Sequence, residues 1–311
     1  MSVFFRGIYG TATLDYPLFE DAQIDTYESF ILRSGGQDLH RAYIRDEMIS
    51  SLAAEYTDVA VQKYRPVVLY LNGEYWGLYY IREKISEHFI AAHYHVPAST
   101  VTLTERNGNH CDSYQALVQY ATTHDLSKQE HYDHMAALMD IPQYMDYIIS
   151  QICVGNSDNS NVRFFTYEGG KWRWILYDID HGMRNANFNS VFEHLNPRGT
   201  ASGDYISTAL INALLENKDF RDDFLRRMAW HLNTVWTEKN IHEKIDLFVS
   251  LIEGDMRKNC ARWDYLTYEQ WQGRLQDLHK YATVRKSYLV TYVQQYFDLS
   301  DREMRQYGFI S

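Results

Sequence analysis

The sequence predicts an α+β protein with two lobes, a strand-rich N-terminal lobe over residues 1–95 and a helical C-terminal lobe over residues 96–311. Segments typical of strands, with a tight hairpin signal, concentrate in the first third of the chain. Helical periodicity dominates after Cys111, and no low-complexity linker separates the two parts. A chain of 311 residues is long enough to bury the core of two such lobes.

One long helix is predicted within the N-terminal lobe. Apolar side chains recur every four residues from Ile44 to Tyr56, and this spacing predicts an amphipathic helix over 40–56. Asp38 precedes the pattern and is expected to act as the N-cap, because its side chain can accept hydrogen bonds from the first free amides of a helix.

A tight hairpin follows this helix. Asn72-Gly73 lies between two runs rich in β-branched and aromatic residues, and both residue types tolerate the positive φ of a two-residue turn. The connection between the lobes, a hinge, is expected near 81–86. The predicted strands are 3–9, 27–33, 66–71, 75–82 and 101–103, and a shorter helix is expected over 84–94.

The C-terminal lobe reads as helices interrupted by a second hairpin. Pro142 indicates the start of a helix and Gly155 its end. Glu168-Gly169-Gly170 joins two strand-like runs, which predicts a hairpin over 162–177. The remaining helices are predicted at 205–216, 218–235, 239–256 and 268–297, and a loop at 185–204.

Carboxylate and amide side chains flank the open end of this second hairpin. Asp158 and Asn161 lie in the loop 155–161 just before its first strand, and Asp178 and Asp180 follow its second strand. The two strands of a hairpin end at the same edge, so these side chains are expected to meet in space. Oxygen ligands of this kind suit Mg²⁺, which takes one or two carboxylates together with phosphate oxygens.

The order of elements is that of a protein kinase, so the fold predicted is a two-lobed protein-kinase-like fold. Kinases place a catalytic Asp and a metal-binding Asn before two short strands, and a metal-binding Asp after them. On this template Asp178 is the main metal ligand, Asp180 a support or second ligand, and Asn161 a further ligand. Asp158 is the base or orienter of the acceptor hydroxyl. For Asp178 and Asp180, the alternative is a strand end closed by Asx turns. If the strand continues through 178–180, its two aspartates point to opposite faces.

Three charged residues are candidates for contact with a nucleotide. Arg33, at a strand end, could grip phosphate oxygens in a bidentate manner, and an ordinary surface ion pair is the alternative. Glu47 could pair with Arg33, although its place on the helix favours a solvated face. Glu83 could contact the nucleotide, brace the cleft or cap the following helix.

Composition limits the partners and the compartment. The net charge of −11 argues against a nucleic-acid partner and favours a basic, Lys/Arg-rich protein. The three cysteines (Cys111, Cys153 and Cys260) suggest neither a disulfide framework nor a zinc site. No apolar run approaches the roughly 20 residues of a membrane span. Residues 1–20 lack the layout of a signal peptide, so cytoplasmic is the default expectation unless an export segment has been removed.

Four stretches of this sequence resemble the CotH kinase family, the spore coat protein H-like atypical protein kinases. They are L-R-S-G-G at 32–36, L-N-G-E-Y-W-G-L-Y-Y-I-R-E at 71–83, G-N-S-D-N-S-N at 155–161 and W-I-L-Y-D-I-D-H-G at 174–182. The resemblance implies a kinase-like enzyme that uses ATP and Mg²⁺ or Mn²⁺ to phosphorylate Ser or Thr of a protein. It also implies a secreted or surface-associated protein.

Two other functions stay open at this point. The same fold could transfer AMP rather than phosphate, because a fold does not fix a function. A non-catalytic assembly or surface-binding protein is the second alternative, favoured by the absence of an obvious lysine on an early strand. The loop at 185–204 stands where an activation loop would lie, and self-phosphorylation at Thr200, Ser202 or Ser207 is a further hypothesis.

Overall fold

A computed structural model describes residues 1–19, 24–198 and 206–311. It has a two-lobed, kinase-like α/β fold with sheets in the N-terminal part and helices in the C-terminal part, which confirms the predicted class. The strands are β1 (Ser2–Phe4), β2 (Leu14–Asp15), β3 (Thr26–Tyr27), β4 (Ser29–Arg33), β5 (Ala60–Val61), β6 (Tyr64–Leu71), β7 (Glu74–Glu83), β8 (Val101–Glu105), β9 (Arg163–Tyr167) and β10 (Arg173–Leu176). The helices are α1 (Arg45–Tyr56), α2 (Glu87–Tyr94), α3 (Asp112–Thr123), α4 (Gln129–Leu138), α5 (Ile141–Val154), α6 (Ser190–Leu195), α7 (Ala209–Leu215), α8 (Lys218–Trp230), α9 (Glu238–Arg262), α10 (Tyr268–Phe297) and α11 (Asp301–Tyr307).

The N-terminal sheet contains four antiparallel strands in the order β1-β4-β7-β6. The β6–β7 hairpin turns at Asn72 and Gly73, whose φ angles of 50° and 83° are those that the turn prediction required. The strand predicted at 3–9 is wrong beyond Phe4. Because β4 begins at Ser29, opposite Phe4, the residues that follow have no partner strand in this sheet.

The first helix begins later than predicted. It starts at Arg45, and a short 3-10 helix occupies Gly36–His40. Asp38 is not its N-cap residue, but its buried carboxylate accepts hydrogen bonds from the amides of Ile44 and Arg45, each at 3.0 Å. Asp38 therefore fixes the start of α1 from seven residues upstream.

The second sheet has the order β5-β10-β9-β8. The predicted hairpin is present as β9 and β10, and β8 adds to β9 in antiparallel fashion. The short strand β5, which precedes the β6–β7 hairpin in the chain, pairs with β10 in parallel. The strands that carry the acidic loops are thus joined to chain segments on both sides of the predicted hinge.

The predicted loop at 185–204 is interrupted by helix α6. Asn189 accepts a hydrogen bond from the amide of Phe192 and so caps this helix, a signal that the glycines and proline of the segment obscured. Thr200 and Ser202 lie outside the described residues. The four helices predicted beyond residue 204 are present, although the one predicted over 205–216 is a shorter helix, Ala209–Leu215. The one predicted over 239–256 extends to Arg262, and the one predicted over 218–235 ends in the π-helical turn His231–Val235.

Helix α9 returns from the C-terminal part to cover the β6–β7 hairpin. Asn259 accepts a hydrogen bond from the amide of Leu78 at 2.9 Å, and the indole of Trp263 donates to the carbonyl of Trp76 at 2.6 Å. Gly77 lies between them with φ 139°, and a Cβ there would stand 2.8 Å from the indole nitrogen of Trp263. The N-G-E-Y-W-G stretch therefore forms part of the surface on which the C-terminal end of α9 packs.

Within the described residues, every helix is too short or too polar to cross a membrane.

Candidate active site

The open end of the β9–β10 hairpin brings together three of the predicted site residues. The side-chain amide of Asn161 donates to Asp158 Oδ2 at 3.1 Å and to Asp178 Oδ2 at 2.8 Å. The other oxygen of Asp158 accepts from the amide of Ser160 at 3.2 Å and from its hydroxyl at 2.7 Å. These bonds form an Asx turn, which holds Asp158 beside Asn161.

Asp178 and Asp180 do not point to opposite faces, as a continuing strand would require. Strand β10 ends at Leu176, and Asp178 adopts φ 52°, in the left-handed region. This turn brings both carboxylates to one guanidinium. Nη2 of Arg33 contacts Asp178 Oδ1 and lies 2.9 Å from Asp180 Oδ2. The predicted candidates Arg33, Asp178 and Asp180 therefore form one cluster.

The glycine turn after β4 lets the backbone approach this cluster. The amide of Gln37 donates to Asp180 Oδ2 at 2.7 Å. Gly36 has φ 58°, and a Cβ on it would lie 2.4 Å from the same oxygen and 2.3 Å from Nη2 of Arg33. Only glycine fits here. The L-R-S-G-G stretch thus supplies the guanidinium of Arg33 and, at Gly36, the space in which that guanidinium contacts Asp180.

Asp46 is a member of the cluster that the sequence did not indicate. Its buried carboxylate accepts from the amide of Ile179, between the two aspartates, at 3.1 Å, and from Arg82 Nη1 at 2.8 Å. Nη2 of Arg33 lies 3.6 Å away. Burial would raise the pKa of Asp46, but the guanidiniums of Arg82 and Arg33 outweigh it and lower the pKa. Asp46 therefore stays ionised and ties α1 to the backbone at 178–180.

Glu47 lies in the interior, so the expected solvated face is wrong. Its side chain accepts from Nε of Arg82 at 2.9 Å, and the expected pair with Arg33 does not form. Burial raises the pKa of Glu47, and Arg82 opposes that rise. The cation that pairs with Glu47 is therefore on β7, where the side chain of Arg82 reaches α1, rather than on β4. The only sequence signal was an arginine near the end of a predicted strand.

Glu83 lies apart from the cluster, at the end of β7. Its carboxylate accepts from the amide of Lys63 at 2.8 Å, and its other oxygen lies 2.8 Å from His93 Nε2. It does not cap α2, since Ser86 does so by accepting from the amide of Phe89. Glu83 therefore joins the end of the sheet to α2.

Helix α6 holds the loop that carries Asp158. His194 Nε2 lies 3.0 Å from the carbonyl oxygen of Asn156, and Glu193 accepts from the side-chain amide of Asn159 at 2.8 Å. Burial lowers the pKa of His194 to about 4, so it is neutral at pH 7 and donates to Asn156. No sequence pattern linked α6 to this loop.

Arg285 fixes the end of helix α5, from which the same loop leaves. This buried arginine of α10 donates to the carbonyls of Ile152 at 2.9 Å and Cys153 at 3.1 Å. A cation at the C-terminus of a helix is favourable, because free carbonyls give that end a partial negative charge. Arg285 also donates to the hydroxyl of Ser190 at 2.5 Å, at the start of α6. Because Arg285 is 95 residues away from Ser190 in the sequence, no local pattern indicated this role.

The cluster carries more negative than positive charge. Burial raises the pKa of Asp178, and although Arg33 lowers it, the neighbouring Asp46 and Asp180 raise it further. The cluster holds five carboxylates, which are Asp46, Glu47, Asp158, Asp178 and Asp180. Against them stand the guanidiniums of Arg33 and Arg82, which form its ion pairs, and that of Arg184, whose charge acts on Asp180. A further cation would relieve this excess.

The oxygen atoms of the cluster suit a hard divalent cation. Among the described residues no three His, Cys, Asp or Glu side chains form a complete metal site, and the side-chain oxygen of Asn161 accepts no hydrogen bond. Mg²⁺ commonly takes only one or two carboxylates and fills its other positions with phosphate oxygens and water. Asp178, Asp180 and Asn161 are therefore the residues that could hold it together with a nucleotide.

The two-lobed fold, with acidic loops at the open end of a C-terminal hairpin, defines a kinase-like protein. The chain belongs to the CotH family, because the family model described as CotH kinase protein matches residues 11–289. The match spans both four-stranded sheets except for β1, and it includes every residue of the cluster. No protein of curated function matches the sequence.

Proposed function

We propose that this protein transfers the γ-phosphoryl group of ATP to a Ser or Thr hydroxyl of a protein, with Mg²⁺ or Mn²⁺ as the metal. The observation that carries the proposal is the continuous polar cluster at the open end of β9–β10. In it, Asn161 joins Asp158 to Asp178, and Arg33 joins Asp178 to Asp180. Phosphoryl transfer requires mainly positioning and charge stabilisation, and this cluster is suited to both.

Asp158 is assigned to the acceptor hydroxyl. Hydrogen bonds from Ser160 and Asn161 fix the orientation of its carboxylate, so little reorganisation is needed when a hydroxyl binds. A carboxylate within hydrogen-bond reach can orient that hydroxyl and accept its proton as the new O–P bond forms.

Arg33 is assigned to the phosphates. Its contacts with Asp178 and Asp180 use Nη2 alone, and its buried Nε has no partner among the described residues. A buried donor without an acceptor is costly, and a phosphate oxygen would satisfy it. The guanidinium can therefore contact a phosphate without leaving Asp180.

The metal belongs with Asp178, Asp180 and Asn161. When bound, a divalent cation neutralises charge on the phosphate oxygens during transfer. The chain's own contribution is to hold these three side chains, through Asp46 at the amide of Ile179 and through the turn at Asp178. The acceptor is proposed to be a basic, Lys/Arg-rich protein, because the enzyme carries a net charge of −11.

The test begins with calorimetric titration of ATP into the wild type and Asp178→Asn, with and without Mg²⁺ or Mn²⁺. We expect metal-dependent binding that the variant loses while circular dichroism shows an intact fold. Glu168→Gln, at the exposed closed end of the same hairpin, is the matched control and should bind as the wild type does. A folded wild type that binds no nucleotide would overturn the proposal in favour of a non-catalytic protein.

The label position then identifies the group transferred. A Lys/Arg-rich, Ser-containing protein incubated with ATP labelled in the γ-phosphate should become labelled, whereas the α-phosphate label should stay in solution. Incorporation of the α-label would contradict the proposal and indicate AMP transfer on the same fold.

A further inference from the structure

Two histidines face each other between helices α9 and α10. Nδ1 of His242 on α9 lies 2.5 Å from Nδ1 of His279 on α10, and the two rings stack with their centres 4.8 Å apart. Their side chains are 30% and 34% exposed, so solvent reaches the pair. Neither histidine belongs to the acidic cluster of the candidate active site.

The other ring nitrogen of each histidine faces a carboxylate. Nε2 of His242 lies 3.4 Å from Oε1 of Glu238, one turn earlier on α9. Nε2 of His279 lies 3.5 Å from Oδ1 of Asp246, one turn later on α9. Thr283 of α10 donates to the same oxygen of Glu238 at 2.8 Å and so orients that carboxylate. The two rings therefore lie in a row between two carboxylates.

The hydrogen atoms of two neutral rings cannot satisfy all three contacts in this row. A neutral imidazole carries one N–H, and an ionised carboxylate can only accept, so both hydrogens belong on the Nε2 atoms. The two Nδ1 atoms then present lone pairs to each other at 2.5 Å. If one hydrogen is placed between them instead, one Nε2 presents a lone pair to a carboxylate. A cation between the Nδ1 atoms would satisfy all three contacts.

An additional proton is not favoured as that cation at neutral pH. Burial lowers the pKa of His279, and the charge of His242 lowers it further, although Asp246 opposes both effects. His279 is therefore neutral at pH 7. A transition metal needs no such proton, because it binds the lone pair of a neutral imidazole directly.

The surroundings of the pair match those of histidines that bind a metal. A ligating histidine almost always donates its other N–H to a carboxylate, a backbone carbonyl or water, and Glu238 and Asp246 occupy that position here. Zinc binds histidine nitrogens at about 2.0–2.1 Å, so two such nitrogens lie about 3.3 Å apart around a tetrahedral ion. The Nδ1 atoms would have to separate by roughly 0.8 Å, which a small rotation of two partly exposed side chains achieves.

We propose that His242 and His279 bind one divalent transition metal, of the Zn²⁺ type, between their Nδ1 atoms, with water in the remaining positions. Imidazole suits such metals, whereas Mg²⁺ prefers oxygen ligands, so this site differs in kind from the one proposed to bind with ATP. The metal links the start of α9 to the middle of α10, whose Arg285 holds the end of α5. This role is structural and does not depend on phosphoryl transfer.

The first experiment is calorimetric titration of Zn²⁺, without nucleotide, into the wild type, His242→Gln and His279→Gln. The wild type should bind one Zn²⁺ per chain in an event that both variants lose or that weakens by at least about tenfold. His88→Gln is the matched control, because His88 also faces a carboxylate, Glu28 at 3.0 Å, but stacks on no second histidine within the described residues. Asp178→Asn should keep this event, which distinguishes it from Zn²⁺ bound at the acidic cluster.

The carboxylate beside His242 provides a second test. Glu238→Gln keeps the length of the side chain but removes its charge, so the affinity for Zn²⁺ should fall by about 10–100-fold. Glu243→Gln is the control on the same helix, since Glu243 pairs with Lys239 at 2.8 Å and is not in contact with the two rings. Equal effects of the two substitutions would contradict the assigned role of Glu238.

Urea unfolding then tests the link between the helices. A metal that binds only the folded protein raises the midpoint of unfolding, so Zn²⁺ should raise it in the wild type and in Asp178→Asn but not in His279→Gln. Circular dichroism verifies the fold, which glutamine at a partly exposed position leaves intact. Zn²⁺ binding of wild-type strength in both histidine variants would overturn the proposal. A folded wild type without Zn²⁺ binding would also overturn it and assign the pair to an ordinary hydrogen bond.

Discussion

The two longer hairpins of this protein are built alike and used differently. Both are antiparallel, and both close on a glycine-containing turn. In β6–β7 the residues after the turn form hydrogen bonds with Asn259 and Trp263, at the C-terminal end of helix α9. In β9–β10 the closed end is exposed at Glu168, and the polar side chains gather at the open end. In β6–β7 the contacts beyond the turn therefore support the fold. In β9–β10 the polar residues before and after the strands form the candidate active site.

The contacts of the two hairpins also differ in kind. Those between β7 and the C-terminal end of α9 are hydrogen bonds to backbone groups and cations over aromatic rings. Arg262 donates to the carbonyl of Tyr75 at 3.2 Å, and Lys258 lies 4.1 Å from the ring centre of Tyr75. Those at the open end of β9–β10 are between ionised carboxylates and an arginine. Substitutions should accordingly affect stability in the first hairpin and activity in the second.

The largest effect is expected from Asp158→Asn at the open end of β9–β10. The amide cannot accept the proton of the acceptor hydroxyl, so transfer should fall by about 10²–10⁴-fold. Metal-dependent ATP binding should persist, unlike in Asp178→Asn. The measurements are γ-label transfer and calorimetry on the same samples, with Glu168→Gln as the unaffected control. Full activity in Asp158→Asn would show that Asp158 does not act on the acceptor hydroxyl.

A smaller effect, on stability, is expected from Gly77→Ala in β7. The new Cβ meets the indole of Trp263, and alanine is strained at φ 139°, so the free energy of unfolding should fall by about 2–4 kcal/mol. Gly254→Ala in α9 is the control. A Cβ there meets nothing within 4 Å, and the exchange should stabilise the helix by about 0.5–1 kcal/mol. Urea unfolding measures both.

The folded fraction of Gly77→Ala should still bind Mg-ATP with wild-type affinity. A variant that is stable but has lost nucleotide binding would show that the first hairpin is part of the site, and the division between the two hairpins would fail.

The third effect depends on pH and concerns the loop before β9. The folded-state pKa of His194 is about 4, below the value of roughly 6.5 in an unfolded chain. Below pH 6.5 the unfolded chain therefore binds a proton that the folded protein excludes, and stability falls as the pH decreases towards 4. Between pH 7 and pH 4, His194 should lower the free energy of unfolding by at most about 3 kcal/mol.

His194→Gln can still donate to Asn156 but does not titrate. Urea unfolding at pH 7 and at pH 4.5 should show a smaller loss of stability in this variant than in the wild type. Parallel pH profiles for the two proteins would contradict the assignment of a neutral, buried His194.

Local sequence patterns predicted most of the elements and part of the cluster. Asn72-Gly73 requires a turn by its own backbone preferences, and the Asp158 to Asp180 stretch surrounds a hairpin whose strands must end together. Boundaries were wrong where a distant partner decides them. The strand predicted at 3–9 stops at Phe4, opposite the residue at which β4 begins, and α6 divides a segment that its glycines made resemble a loop.

The supporting residues could not be predicted in the same way. Asp46 and Arg82 are charged residues that local patterns would place in solvent, yet both are buried because each neutralises the other beside α1 and β7. Arg285 and His194 hold the loop of Asp158 from helices that follow it in the chain. Such pairs carry no local signal, since either partner alone is unremarkable in sequence.

The sequence by itself determined the two-lobed α+β class, the two hairpins and the meeting of Asp158, Asn161 and Asp178, because backbone preferences and strand pairing act over short distances. Only the tertiary structure decided that Asp178 and Asp180 share Arg33, and that Glu47 pairs with Arg82. The physical reason is that the partner of a buried charge is set by which elements pack together. That packing is a property of the whole chain.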